Sequence, residues 1–462
     1  MFDLVLQGPA MLSDGRHDAC WIGVREGKIA AIGQGDAPDA AEVHIVTDGL
    51  ILPGVVDGQT HACSYGGLPG IESTTRSAVA GGVTTLVDMP YDNPDPLNTK
   101  ARLDEKITTI NAVAYADMAL YATVAPGQDN SEIAPLIEGG VVAFKISTFE
   151  SNPTRFPRIQ TPQILSIFET LAPTNIPLGV HNEDQEMVHA FMAAAKKAGQ
   201  NGLVAHSESR PASAEMSATA QFLELGAAAH AHAHIVHLTT ARGFQLVDNY
   251  AFDGYRATGE LCVHYLWFDP EIDGEELGAK MKVNPPIRPG EIDALWEEIL
   301  AGRVALISSD HSSWPIDNKL TPSIFDAGAG VPGMETLLPC FYTAAEQRGL
   351  DAAALTAEML SERPARFFGL FPQKGAIRIG ADADFAILKH QPQIWDSANA
   401  HDDLNWSPFD GRVFSVTVDR TYVRGQLAWD GENICSQPGS GTFVPRGNGH
   451  WFEDEETRHE HD

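Results

Sequence analysis

Apolar residues along the chain follow two rhythms. Through the middle, about 54 to 373, short apolar runs recur, each followed by sequence with helical spacing. The runs lie at 52–56, 83–87, 118–124, 141–146, 176–181, 234–238, 257–263 and 304–308. A continuous apolar run bounded by turn-forming residues fits a strand buried on both faces. Strands that alternate with helices imply a parallel sheet. Eight such units predict an α/β fold, a (β/α)8 TIM barrel. The two ends differ. Residues 19–24 and 29–33 are strand-like around the turn Arg25-Glu26-Gly27-Lys28, and 385–388, 413–418 and 421–427 repeat that texture. Strand, glycine turn and strand is hairpin patterning. The ends therefore predict one small β-sandwich, assembled from 1–53 plus 374–445, beside a barrel of 54–373. Residues 446–462 predict a flexible acidic tail.

Composition narrows the function. The chain has 462 residues and a formal net charge of −31. That charge opposes nucleic acid and anionic membrane surfaces, which recruit basic patches. No apolar run approaches the roughly 18 residues of a membrane span. The first residues lack the basic region of an export signal. Five cysteines, at 20, 63, 262, 340 and 435, are scattered without CxxC spacing, which suits free thiols in a reducing cytoplasm. His230, His232 and His234 alternate within Ala-rich sequence and predict a helix end or strand entry rather than a metal cluster. His459 and His461 are expected to be solvated.

The candidate chemistry sits where the runs end. Gln59 and His61 follow the first run two residues apart, so on a strand they point the same way. Lys145, His181, His237 and Asp310 close later runs. In a barrel of this kind the C-terminal strand ends form the active face. Three imidazoles, a lysine and an aspartate gathered there suit a divalent metal. A lysine fits beside cations if its neutral amine takes up carbon dioxide and becomes an anionic carbamate. Asp310 can then both hold metal and accept a proton from the attacking water, as the catalytic residue.

These residues fall within an ordered series: Pro53-Gly54-Val55-Val56-Asp57, Gly81-Gly82-Val83-Thr84-Thr85, Phe144-Lys145, Val180-His181-Asn182-Glu183, Ser209-Arg210-Pro211, Val236-His237-Leu238, Val263-His264-Tyr265-Leu266, Asn284-Pro285-Pro286, Ser309-Asp310-His311 and Gly333-Met334-Glu335-Thr336. The series resembles the cyclic amidohydrolases of the amidohydrolase superfamily, a group of allantoinases, hydantoinases, dihydropyrimidinases and dihydroorotases. The resemblance implies a metal-dependent barrel, a carbamylated Lys145, a homo-oligomer (dimer or tetramer) and hydrolysis of a ring amide C–N bond. Zn2+ is the expected metal, one or two per chain, with Mn2+ or Co2+ as alternatives. Dihydroorotase-like members carry an Arg soon after the metal motif, and none follows His61. Hydantoinases carry a Tyr five residues after the lysine, where this chain has Glu150. The spacing from Phe144-Lys145 to Phe156-Pro157, and Ser407-Pro408-Phe409-Asp410-Gly411-Arg412, are similar to allantoinases.

One position departs from the pattern. The family motif is Asp-x-His-x-His; here it is Asp57-Gly58-Gln59-Thr60-His61. The resemblance places His61, Asp310 and the lysine carbamate on the more buried metal, with Gln59 a doubtful ligand. It places the carbamate, His181 and His237 on the second. Three outcomes stay open: a binuclear site with Gln59 as a weak ligand, a mononuclear site at His181 and His237, or a silent scaffold. Asn284, backbone groups around Gly333, Cys63 and Tyr65 are expected to contact substrate. Glu150 is expected to select a cationic or polar substituent. The expected small-molecule partner is a cyclic amide or ureide, allantoin first, with a hydantoin, dihydropyrimidine, imide or lactam as alternative.

Overall fold

The computed structural model describes residues 1–452. Both chain ends meet in one eight-stranded sheet. Phe2–Leu12 pairs antiparallel with Gly15–Arg25, which pairs with Lys28–Gly33. Phe2–Leu12 also pairs parallel with Ala40–Ile45 and with Gly49–Pro53. Gly49–Pro53 carries the sheet on to the C-terminal strands Phe385–Lys389, Thr417–Val423 and Gln426–Trp429. Leu6, Ile22, Ile51, Phe385 and Ile387 bury their side chains in a cluster of their own, separate from the barrel core. A buried ionic knot ties this unit to the barrel. Lys374 Nζ lies 2.5, 3.0 and 2.7 Å from Asp117, Asp382 and Asp384.

The run at 52–56 is two strands rather than one. Gly49–Pro53 belongs to the end sheet and Val55–His61 opens the barrel. No polar residue marks the break because both strands are buried. Gly54 alone makes the crossing. A Cβ there would lie 2.2 Å from Thr84 Oγ1, so only glycine passes.

The barrel strands are Val55–His61, Val83–Asp88, Asp117–Ala122, Ala143–Ser147, Leu178–His181, Ala233–Ile235, Ala257–Cys262 and Leu306–Ser308, each parallel to the next. A short ninth piece, His311–Ser312, pairs with Thr60 and His61 of the first strand. The eighth strand is thus broken at Ser309-Asp310. Its first half pairs with the seventh strand and its second half with the first, and this closes the barrel. Asp310 stands at the break with φ +47°, a left-handed conformation that costs a non-glycine residue about 1–3 kcal/mol.

The histidine series falls as expected. The helix Ala212–Ala229 ends at a left-handed His230, and His234 enters the sixth strand. Residues 446–452 are not loose. Arg446 N donates to Gly140 O at 3.0 Å and Gly447 N to Gly369 O at 2.9 Å. The rest of the tail, with His459 and His461, lies outside the described residues. Among the described residues no helix is long and apolar enough to cross a membrane.

Candidate metal and substrate site

Gln59, His61, Lys145, His181, His237 and Asp310 converge on one cavity of about 460 Å3. Strand geometry explains this. Lys145 projects from the fourth strand, His181 ends the fifth, and His237 follows the sixth by two residues. His237 has φ +40°, so the turn after the sixth strand re-aims its ring as the break re-aims Asp310.

His181 Nδ1 and His237 Nε2 face each other at 3.0 Å. His181 Nε2 donates to Glu183 Oε2 at 2.8 Å, which fixes the tautomer and leaves Nδ1 as a lone pair. Glu183 is anchored in turn by Arg210, whose guanidinium sits 4.5 Å over the Phe149 ring. Beside them, His61 Nε2 lies 3.5 Å from Asp310 Oδ1, and its Nδ1 is 2.9 Å from Ser64 Oγ. Gln59 Nε2 donates to the same Asp310 oxygen at 2.8 Å, and Gln59 Oε1 has no partner.

Burial sets the charge states. It pulls the Lys145 ammonium down to about 8, against the opposing pull of Glu260 and Asp310. Burial likewise lowers His61, His181 and His237. Neutral imidazoles with a readily deprotonated lysine are what a metal or a carbamate requires. Burial raises Asp310 to about 7, Lys145 opposing it. The facing nitrogens of His181 and His237, with Asp310 and a readily deprotonated amine beside them, fit a divalent ion.

The cavity also receives Asn284, whose Oδ1 is buried without a partner. Tyr65 and Glu150 stand at its mouth, Tyr65 against Trp314 with ring centroids 5.4 Å apart. Two expected contacts are elsewhere. Cys63 is fully buried beside Asp88 and Asp92, because the turn after the first strand points it away from the cavity. Gly333 also lies outside the lining, and its N–H donates to His311 Nδ1 at 3.2 Å. Glu183 and Arg210 were not expected as supports. An acid two residues beyond a strand-end histidine was the available signal. Arg155, Lys282 and the segment 312–330, which also line the cavity, carried none.

A closed parallel barrel that gathers imidazoles, a lysine and a carboxylate at the C-terminal ends of its strands defines a hydrolase-type barrel built around a metal-compatible centre. The chain belongs to the amidohydrolase family, whose pattern matches residues 50–428. It is 35% identical over 459 residues to an allantoinase from Rubrobacter xylanophilus, covering 96% of this chain and 97% of that one. It is 30% identical over 460 residues to an L-hydantoinase from Paenarthrobacter aurescens, covering 97% and 99%. The solved L-hydantoinase (dihydropyrimidinase) from Arthrobacter aurescens superposes with a TM-score of 0.91 at 30% identity, covering 96% of this chain and all of that one.

Proposed function

We infer that the protein opens a ring C–N bond of a cyclic amide or ureide by hydrolysis, with allantoin the first substrate to assign. The convergence of Lys145, His181, His237 and Asp310 on one cavity carries this assignment. The allantoinase relatives favour allantoin, and the L-hydantoinase relative keeps a hydantoin ring as the second candidate. His181, His237, a carbamylated Lys145 and Asp310 would hold the ion, with His61 adjoining. Zn2+ suits this donor set best, with Mn2+ or Co2+ as alternatives. When bound, such an ion polarises the ring carbonyl and acidifies water.

The chain's own residues do the rest. Asp310, raised to about 7, takes a proton from water and delivers it to the leaving ring nitrogen. Asn284 offers an unpaired carbonyl to a ring N–H. Gln59 turns its amide N–H toward Asp310, acting as a donor where a ligand would offer a lone pair. This favours one metal per chain over two. The negative surface and scattered thiols support a cytoplasmic enzyme, and the family resemblance supports a homo-oligomer.

Metal analysis and a panel of cyclic amides test the assignment. At least about half an equivalent of metal per chain, with turnover of allantoin, is expected. Less than a tenth of an equivalent and no turnover of any ring refutes the enzyme assignment. Turnover of a hydantoin without allantoin refutes the substrate alone.

A further inference from the structure

One wall of the catalytic cavity is the segment 312–330, through Trp314, Asn318, Phe325 and the glycines 328 and 330. Beyond Ser312, a single 3-10 turn at Ile316–Asn318 is its one regular element. A long irregular segment over a cavity needs partners for its backbone oxygens. Two lysines supply them. Lys319 is fully buried, and its Nζ lies 2.8 Å from each of three carbonyl oxygens, those of Lys282, Gly328 and Gly330. An ammonium has three N–H donors and no lone pair, so three acceptors match its charged form, and they oppose the burial and the nearby Lys282 that push its pKa down. Lys282 Nζ donates to Ile324 O at 2.6 Å and to Ala327 O. The backbone returns the grip: Gly330 N donates to Lys282 O at 3.0 Å and Gly328 N to Asn318 O at 2.8 Å. Trp314 Nε1 adds a bond of 2.8 Å to Ala329 O. Among the described residues neither lysine has a carboxylate at ion-pair distance; beside the backbone oxygens, Lys319 Nζ lies 5.6 Å from the centroid of the Trp406 ring, and Asp326 acts on Lys282 from farther off. Of the expected metal ligands, Lys145 and His181 sit on strands, His237 lies two residues past one, and Asp310 stands at the strand break just before this wall.

We propose that Lys319 is a positioning residue: its ammonium, seated among three carbonyl oxygens, fixes 312–330 as a rigid wall and thereby sets how tightly the ring substrate is held. The effect on substrate rests on the hydrolase assignment above; the effect on the wall does not. Truncating the side chain removes the centre of the cage, and the wall loosens. Binding weakens while the strand-borne residues keep their places.

The test compares wild type with Lys319→Ala. The variant is expected to raise KM at least tenfold, to keep kcat within threefold and to retain its metal. Limited proteolysis is expected to cut it within 312–330, where wild type resists. Propylammonium chloride, which can enter the vacated cage, is expected to lower KM at least threefold and restore resistance, with sodium chloride inert. Wild-type KM with wild-type resistance overturns the proposal. So does a fall in kcat with KM unchanged. A raised KM or new cleavage that propylammonium does not reverse overturns the role of the charge. Should no ring be turned over, cleavage and its rescue decide alone. Should the variant not fold, hydrogen exchange of wild type decides. The Gly328 and Gly330 amides must exchange at least a hundredfold more slowly than the exposed turn at Gly199 to Gly202, and equal rates overturn the proposal.

Discussion

Glu183→Gln is the sharpest probe of how the site is supported. Glu183 is 1% exposed and receives both His181 Nε2 and the Arg210 guanidinium. Burial alone would raise its carboxyl; Arg210, then the bond from His181, overcome this and hold it at about 2 against an ordinary 4.5. That displacement corresponds to about 3 kcal/mol at roughly 1.4 kcal/mol per pH unit. Breaking a buried ion pair from one side costs about 3–5 kcal/mol, because the surviving charge stays uncompensated. The two estimates agree, and glutamine keeps an acceptor for His181, so a loss of about 3 kcal/mol is expected. The folded-state pKa is depressed, so this stability is present above pH 4.5 and is lost as pH falls toward 2. The variant should therefore lose most of its excess sensitivity over that window. Metal affinity should fall about 10- to 100-fold, since His181, a proposed metal ligand, loses its orienting carboxylate. Chelator competition reads the affinity, and denaturant titration at pH 7 and pH 3 reads the stability. A variant with wild-type affinity and a wild-type midpoint at pH 7 would refute the support role.

Gln59→His should raise bound metal from about one toward two per chain, measured by elemental analysis; wild type already carrying two contradicts the donor role of Gln59. Gly54→Ala places a Cβ 2.2 Å from Thr84 Oγ1 and should destabilise by about 1–3 kcal/mol in denaturant titration; an unchanged midpoint counts against the tight crossing. Lys374→Met takes a cation from Asp117, Asp382 and Asp384, leaving Asp117 to Arg424 and Asp382 to Lys28 but Asp384 without one among the described residues, and should cost about 3–5 kcal/mol. Burial opposes ionisation of Asp117, yet Lys374 and Arg424 hold its pKa below the ordinary carboxylate value. Its share of stability is thus present at neutral pH and lost on acidification below that value, and the variant's midpoint should vary less between pH 6 and pH 3 than that of wild type.

Much of the barrel was legible because buried parallel strands leave continuous apolar runs. The same property hid the boundary at Gly54, where two buried strands abut. Lys145, His181, His237 and Asp310 were legible because they sit at or just beyond strand ends, whose common direction is set by the fold. Cys63 follows its strand through a turn, and a turn can aim a side chain anywhere. Glu183 and Arg210 are 27 residues apart, and only the folded chain joins them. The wall at 312–330 has no periodicity to read, since many of its backbone oxygens are met by the Lys282 and Lys319 side chains and not by a helix or sheet partner.

The broken eighth strand gives the molecule an order of events. Asp310 occupies the gap between the half that pairs with the seventh strand and the half that pairs with the first. Its oxygen meets Gln59 and His61 across that same joint. Completion of the barrel and placement of Asp310, the proposed proton carrier, therefore depend on the same joint. A chain with its helices and seven strands in place but this joint open would look nearly native by secondary structure and yet be inert. Recovery of activity on refolding should mark the moment at which the ring of strands shuts.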